Sequence, residues 1–183
     1  MIKKLHTIII ILILFLIIRL YPSNDNTICG ITHNNIIGYC NNNSLSKNYI
    51  NNIYTGQKWQ CIEFIRRYFI IIHNLTFQSV HNAYDMINIK YMTHINTYTK
   101  YYCTFYTKNS STPKKNDILL FRYGSDGHVA IVINIINNTL QIAEQNWDSL
   151  KWKGTNYSRD INIDDTSIIG WIHVNNLFSR TKY

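Results

Sequence analysis

The chain is short of the residues that break or loosen a backbone: of 183 residues only 2 are proline and 7 are glycine. Charge is scarce too, at 15% against 46% hydrophobic residues, which excludes an intrinsically disordered chain and predicts a packed core. The shortage of Ala, Gly and Pro beside abundant Ile, Asn, Lys and Tyr reads as a coding bias, so bulk composition is no guide to chemistry. No internal repeat, low-complexity linker or second composition regime is present, which excludes solenoids and predicts one domain over residues 27–183. No cysteine pair has zinc-site separation, and His33, His73, His81, His94 and His173 show no ligand spacing, so neither metal nor cofactor is expected. Acidic residues number 10 against 18 basic ones, for a formal charge of +8. The basic residues are scattered (Lys47, Lys58, Lys90, Lys100, Lys108, then Lys151 and Lys153) rather than striped, which argues against a nucleic-acid partner.

A long apolar run is also missing. Lys3 and Lys4 precede apolar residues from Thr7 to Ile18, which Arg19 interrupts before Leu20. A spanning helix wants about 20 apolar residues, so this pattern reads as a signal peptide or uncleaved signal anchor over residues 1–23. The expectation is an exported or membrane-anchored protein, held to the membrane through residues 5–20 if uncleaved, with the catalytic domain on the non-cytosolic side. Cys29, Cys40, Cys61 and Cys103 make an even set that an oxidising compartment could close as two disulfides. A nucleophilic Cys61 would leave at most one bridge, for which Cys29 and Cys40 are nearest in sequence. Sequons begin at Asn42, Asn74, Asn109, Asn137 and Asn156, a number that an Asn-, Ser- and Thr-rich chain reaches by chance.

What is present starts at Gly56-Gln57-Lys58-Trp59-Gln60-Cys61, a polar approach that opens a helical pattern. Cys61, Ile65, Tyr68 or Phe69, and Ile72 recur at helical spacing. A thiol in a first helical turn meets free amide N–H groups and the positive end of the helix dipole, both of which favour the thiolate. Residues 27–58 read as irregular loops and turns, residues 80–91 as a second helix with Ala83, Met86 and Ile87 inward, and residues 92–109 as a polar connection. From Ile118 the pattern becomes short, β-branched runs: Ile118 to Phe121, Val129 to Ile136, Leu140 to Ala143 and Ser167 to Ile172, the strands of an antiparallel sheet.

Strand parity constrains the chemistry. Side chains alternate faces, so His128 meets Glu144 only if both point the same way. A strict two-residue turn at Asn137-Asn138 would put them on opposite faces. A three-residue loop over Ile136 to Asn138, or a compensating bulge, is therefore expected, which sets Ala130 opposite Glu144 and His128 opposite Asn146.

Gln60-Cys61 at a helix start, Gly127-His128-Val129-Ala130 and Ala143-Glu144-Gln145-Asn146 together resemble the CHAP family of cysteine- and histidine-dependent amidohydrolases and peptidases. With the segment Asp164 to Trp171 in the same order, the likeness extends to the family's glutathionylspermidine amidase branch and covers most of residues 30–173. The resemblance implies an α+β, papain-like (NlpC/P60-like) fold, with the Cys-bearing helix on an antiparallel sheet that carries His and Glu. It implies a thiol amide hydrolase with Cys61 as nucleophile, His128 as base and acid, and Glu144 as the group that orients the ring. The substrate would be a glutathionylspermidine-like or other small peptide amide, or alternatively a peptidoglycan peptide cut by an exported enzyme. A catalytically silent secreted binding module is the third possibility.

Beside these, Gln60 and Asn146 are candidates for the oxyanion or for orienting the imidazole. Trp59, Arg66 and Gln145 are candidates for substrate contact. For each there is a plainer role. Cys61 could be a structural thiol and His128 a turn cap. Trp59 could cover the preceding arm rather than line a cleft, although the cleft is favoured. Arg66 and Arg67 could pair with acidic surface groups.

Overall fold

The structure is a computed structural model that describes residues 26–41, 43–148 and 151–177. The proposed signal segment at 1–23 lies outside the described residues. Among the described residues, no helix is long and apolar enough to cross a membrane.

The architecture is α+β. Helix α1 (Cys61–His73) packs against an eight-stranded sheet built from β5 (Leu75–Thr76), β6 (Tyr91–His94), β7 (Lys100–Thr107), β8 (Ile118–Phe121), β9 (His128–Ile136), β10 (Thr139–Ala143), β11 (Arg159–Asn162) and β12 (Ile168–Val174). Its order is β11-β10-β9-β8-β12-β7-β6-β5, and every pairing is antiparallel. Residues 27–58, expected to be irregular, instead hold two small sheets: β1 (Ile28–Ile31) with β2 (Ile37–Tyr39), and β3 (Lys47–Ile50) with β4 (Ile53–Gln57). Register shifts within both pairs spoil the strict alternation that would have marked these strands.

Two apolar layers hold the sheet. On the helix side, Phe64, Ile65, Tyr68 and Phe69 meet Ile118, Leu120, Val129, Ile131 and Ile172. On the other side, Leu119, Phe121, Ala130, Val132, Leu140, Ile142 and Trp171 form a second cluster. The run Ile118 to Phe121 is therefore continuously apolar because β8 is buried on both faces. Each fully buried Ile or Phe contributes about 1.5–3 kcal/mol.

The helix begins after an extended Gln60 and ends at Asn74, whose left-handed conformation (φ 54°) turns its N–H back to the Ile70 carbonyl. It is buried on more than the apolar stripe. Glu63 and Arg66 are also enclosed, held by residues of the β3–β4 arm, and Arg67 is enclosed against β2, where it donates to the Ile37 carbonyl. A Cβ at Gly56 would lie 2.9 Å from the Glu63 Cβ, so a residue larger than glycine would hold β4 off the first helical turn.

Two sequence expectations are revised here. Residues 80–91 form only a five-residue 3-10 turn, Tyr84–Asn88, in which Ala83 and Met86 are buried but Ile87 is 40% exposed. Asn82 and Asp85 side chains accept from backbone N–H groups within this segment, and Ala83 N bonds the distant Asp126 carbonyl; both draw the backbone away from an α-helical ladder. Residues 92–109, expected to be a polar connection, instead hold most of the β6–β7 hairpin (Tyr91–His94 with Lys100–Thr107).

The β9–β10 junction meets the parity requirement through a bulge. Asn137 and Asn138 make a two-residue turn, with Asn137 at φ 54° and Ile136 opposite Thr139. The register then slips by one between Gln141 and Ile142, so that Ala143 faces Ile131. Continued one step, that register places Glu144 opposite Ala130 and diagonal to His128.

Candidate active site

Three elements converge on Cys61. Its backbone opens α1, and the first helical N–H to close on a carbonyl is that of Phe64, on Gln60, at 3.1 Å. The amides of Cys61, Ile62 and Glu63 thus precede the helical ladder and direct the dipole's positive end at the thiol. Gly127, with φ 71°, ends the β8–β9 turn and delivers His128 to the start of β9. The slipped register of β10 brings Glu144 to the same ring.

His128 Nε2 lies 2.9 Å from Glu144 Oε2, and Cys61 borders the same cleft beside His128, near enough to raise the pKa of the ring. With Nε2 engaged by the carboxylate, Nδ1 is the nitrogen left for the thiol. Both His128 and Glu144 are 2% exposed, and Cys61 is 8% exposed. Burial pushes the His128 pKa down, but the hydrogen bonds and charges of Cys61 and Glu144 outweigh it and lift it to about 9. Burial pushes the Glu144 carboxyl up, and His128 with Arg159 overcomes this to hold it below its usual value. The arrangement favours an imidazolium beside the Glu144 carboxylate. Cys103, also a free thiol, is instead driven to about 12 by burial and stays protonated.

Around this line sits a shell that the sequence patterns did not reveal. Arg159 donates from Nε to Glu144 Oε1 at 2.7 Å and from Nη2 to Oε2 at 3.3 Å, and Ser158 Oγ donates to Oε1 at 3.1 Å. The Arg159 guanidinium lies over the Trp147 ring, 4.2 Å from its centroid, and Trp147 in turn stands 5.0 Å from the His128 ring centroid. Trp152 Nε1 donates to the Glu144 carbonyl at 3.2 Å. Arg159 follows an irregular loop whose length gives no periodic signal. Trp147 directly follows the Ala143 to Asn146 motif, and that adjacency is the one signal that could have found it.

The remaining candidates separate into two groups. Gln60 and Asn146 stand beside Cys61 and His128 in the wall of a cleft of roughly 590 Å3, and Asn146 Nδ2 donates to Gln60 Oε1 at 2.6 Å. Arg66 also borders this cleft, but its guanidinium is held by the Thr55 and Gln78 carbonyls at 2.8 and 3.1 Å and lies over Phe77. Trp59 lies outside the cleft lining, stacked on Tyr39 at 3.9 Å. Gln145 points away as well, bonding Arg67, Glu63 and the Tyr39 N–H. Arg67 pairs with Glu63 at 2.8 Å in the interior, not with a surface acid. Cys29 and Cys40 form a disulfide and leave Cys61 and Cys103 free. Among the described residues, no cluster of three His, Cys, Asp or Glu side chains is placed to hold a metal ion.

The fold and this cleft define an α+β domain with a thiol and a carboxylate-bound imidazole in one cleft wall. Residues 52–146 match the CHAP domain, and the chain belongs to that family. It is 28% identical over 145 residues to the bifunctional glutathionylspermidine synthetase/amidase of Escherichia coli (strain K12), covering 69% of this chain and 23% of that protein. It is also 28% identical over 137 residues to the glutathionylspermidine synthase of Crithidia fasciculata, covering 65% of this chain and 19% of that protein. The chain thus spans less than a quarter of the length of these relatives. A solved structure titled "The crystal structure of Ly7917" aligns with a TM-score of 0.41 and 17% identity over 63% of this chain and 53% of that one.

Proposed function

We propose that this domain is a thiol-dependent amide hydrolase with a papain-like arrangement of Cys61, His128 and Glu144. The observation that carries the proposal is the His128–Glu144 hydrogen bond, with His128 and the first-turn Cys61 together in the wall of one open cleft. The Cys61 thiolate attacks the amide carbon, and an S–C bond forms. His128 then gives its Nδ1 proton to the leaving amine as the C–N bond breaks, which leaves a thioester. Water attacks the thioester, its proton passes to His128, and the C–S bond breaks to restore the thiolate and imidazolium. Glu144 holds the ring in the orientation and tautomer that both steps require.

The developing oxyanion needs donors. The Cys61 N–H at the helix start is the first. The Gln60 backbone N–H is committed to the Gln57 carbonyl at 3.0 Å, so the second donor in this scheme is a side-chain amide, Gln60 or Asn146. The substrate we favour is a small peptide amide of the glutathionylspermidine type, by likeness to the Escherichia coli enzyme.

The second reading, a peptidoglycan peptide hydrolase acting outside the cytosol, is favoured by the Lys3-Lys4 and apolar N-terminus and by the formal charge of +8. Purified full-length protein, with Cys61→Ala as control, would be offered glutathionylspermidine and a peptidoglycan stem peptide. Cleavage of one and not the other decides between the readings. Cleavage of neither, together with no alkylation of Cys61 by iodoacetamide, would overturn both and leave a binding module.

A further inference from the structure

Three side-chain amides run in series from the disulfide-closed β1–β2 hairpin to the reactive cysteine. Asn41 Nδ2 donates to Asn146 Oδ1 at 2.6 Å, and Asn146 Nδ2 donates to Gln60 Oε1 at 2.6 Å. An amide has one accepting end and one donating end, so a chain of amides has a direction, and something must set it. Here the Asn43 backbone N–H sets it. That group can only donate, and it donates to Asn41 Oδ1 at 2.8 Å. Asn41 must therefore turn Nδ2 toward Asn146, and Asn146 must turn Nδ2 toward Gln60. Gln60 is left with its Nε2 as the free end, with no acceptor for it among the described residues. Gln60 and Asn146 both border the cleft at Cys61.

We infer that Asn41 is a positioning residue that fixes the donor polarity of the Asn146 and Gln60 amides, so that N–H groups rather than carbonyl oxygens face the developing oxyanion. This rests on the hydrolase reading above. Asn41 is far from Cys61 in sequence and reaches it only through two other side chains. Its main chain is firmly anchored, since the neighbouring Cys40 is bonded to Cys29 and the Cys40 N–H donates to the Thr27 carbonyl at 2.8 Å.

The polarity argument separates this role from ordinary packing. In Asn41→Asp, both carboxylate oxygens accept. Asn43 N–H keeps one of them, and the other draws Asn146 Nδ2, reversing the chain so that Gln60 donates to Asn146 and presents its oxygen to the cleft. In Asn41→Ala the chain merely loses its anchor and Asn146 is free to keep its bond to Gln60. A structural or space-filling role predicts that the isosteric Asp is milder than Ala. A polarity role predicts the opposite order.

The test measures kcat and KM for wild type, Asn41→Ala and Asn41→Asp on the cleaved amide, with Cys61 alkylation by iodoacetamide alongside. Asn41→Asp should lower kcat on the order of 100-fold, the effect of losing one oxyanion donor, with KM nearly unchanged. Asn41→Ala should lose less, and alkylation, which needs no oxyanion, should stay near the wild-type rate in both. Equal or greater loss in Asn41→Ala, or an Asn41→Asp kcat within threefold of wild type, overturns the inference. If wild type hydrolyses no amide, the hydrolase reading fails, and amide-proton exchange measured by NMR still decides the polarity. Gln60 Hε2 protons should exchange freely in wild type and become protected in Asn41→Asp; protection in wild type, or no change, overturns it.

Discussion

Replacing Glu144 by glutamine should disable the domain more completely than the loss of one hydrogen bond suggests, because Arg159 dictates which way the new amide faces. Arg159 Nε at 2.7 Å and Ser158 Oγ at 3.1 Å both donate to Oε1. An amide at this position keeps its oxygen there and turns its NH2 to His128 Nε2, where Oε2 now lies at 2.9 Å. A ring nitrogen facing a donor must be unprotonated, so the proton of neutral His128 moves to Nδ1, the Cys61 side. The ring can then no longer accept the thiol proton. A wrong tautomer of this kind costs on the order of 10^4 in kcat in related triads. The imidazolium also suffers. Exchanging a charge-assisted bond for a neutral one removes about 1–1.5 kcal/mol, or about one pH unit, before the donor–donor clash is counted.

The sign follows from the direction of the shift. His128, raised above its unfolded value to about 9, favours the charged folded state fully below about 6.5, and this support is lost as pH rises through about 9. In wild type the His128 ring should therefore titrate near pH 9 by NMR, and in Glu144→Gln that midpoint should move down by at least about one unit. A Glu144→Gln protein that keeps kcat within tenfold of wild type, or whose His128 titration overlays that of wild type, refutes the reasoning.

Two stability predictions accompany this one. Closing a loop of 11 residues, the Cys29–Cys40 bridge should stabilise the fold by about 3 kcal/mol through chain entropy, so Cys29→Ser with Cys40→Ser should lower the urea midpoint accordingly; an unchanged midpoint would sink that estimate. Arg67→Met should destabilise by about 3–5 kcal/mol, because it strands the buried Glu63 carboxylate, which also accepts from Asn48, Thr55 and Gln145. Adding Glu63→Gln to Arg67→Met should restore part of that loss in the same denaturation assay, and a double variant no better than the single one counts against the pairing.

The parts of the site that the sequence revealed are those bound to a period. His128 and Glu144 lie on strands, where a two-residue repeat makes the shared face a yes-or-no question, and a bulge near Ile133 supplied the answer the chemistry demanded. Cys61 lies on a helix start with a helical stripe behind it. The parts that stayed hidden have no period. Arg159 reaches Glu144 across an irregular loop, and Asn41 reaches Gln60 through a third residue. Arg67 reads as a partner for some acidic surface group because nothing in a helix sequence shows that other segments lie over its second face, where it pairs with the buried Glu63. Trp59 misled for a similar reason, since its partner Tyr39 belongs to strands whose bulges mask their alternation.

In the proposed hydrolase two kinds of control meet at Cys61, and they differ in how they respond to the medium. From one side come groups that titrate: His128, Glu144 and, through Glu144, the fixed charge of Arg159. From the other come Asn41, Asn146 and Gln60, amides whose donor pattern does not change with pH. A pH profile of turnover therefore reads the first side alone. Damage to the second side should scale the whole profile down without moving its limbs, while damage to the first should move a limb. Glu144→Gln and Asn41→Asp consequently differ in the shape of the loss and not only in its size, and one pH series on the two variants separates proton traffic from oxyanion stabilisation.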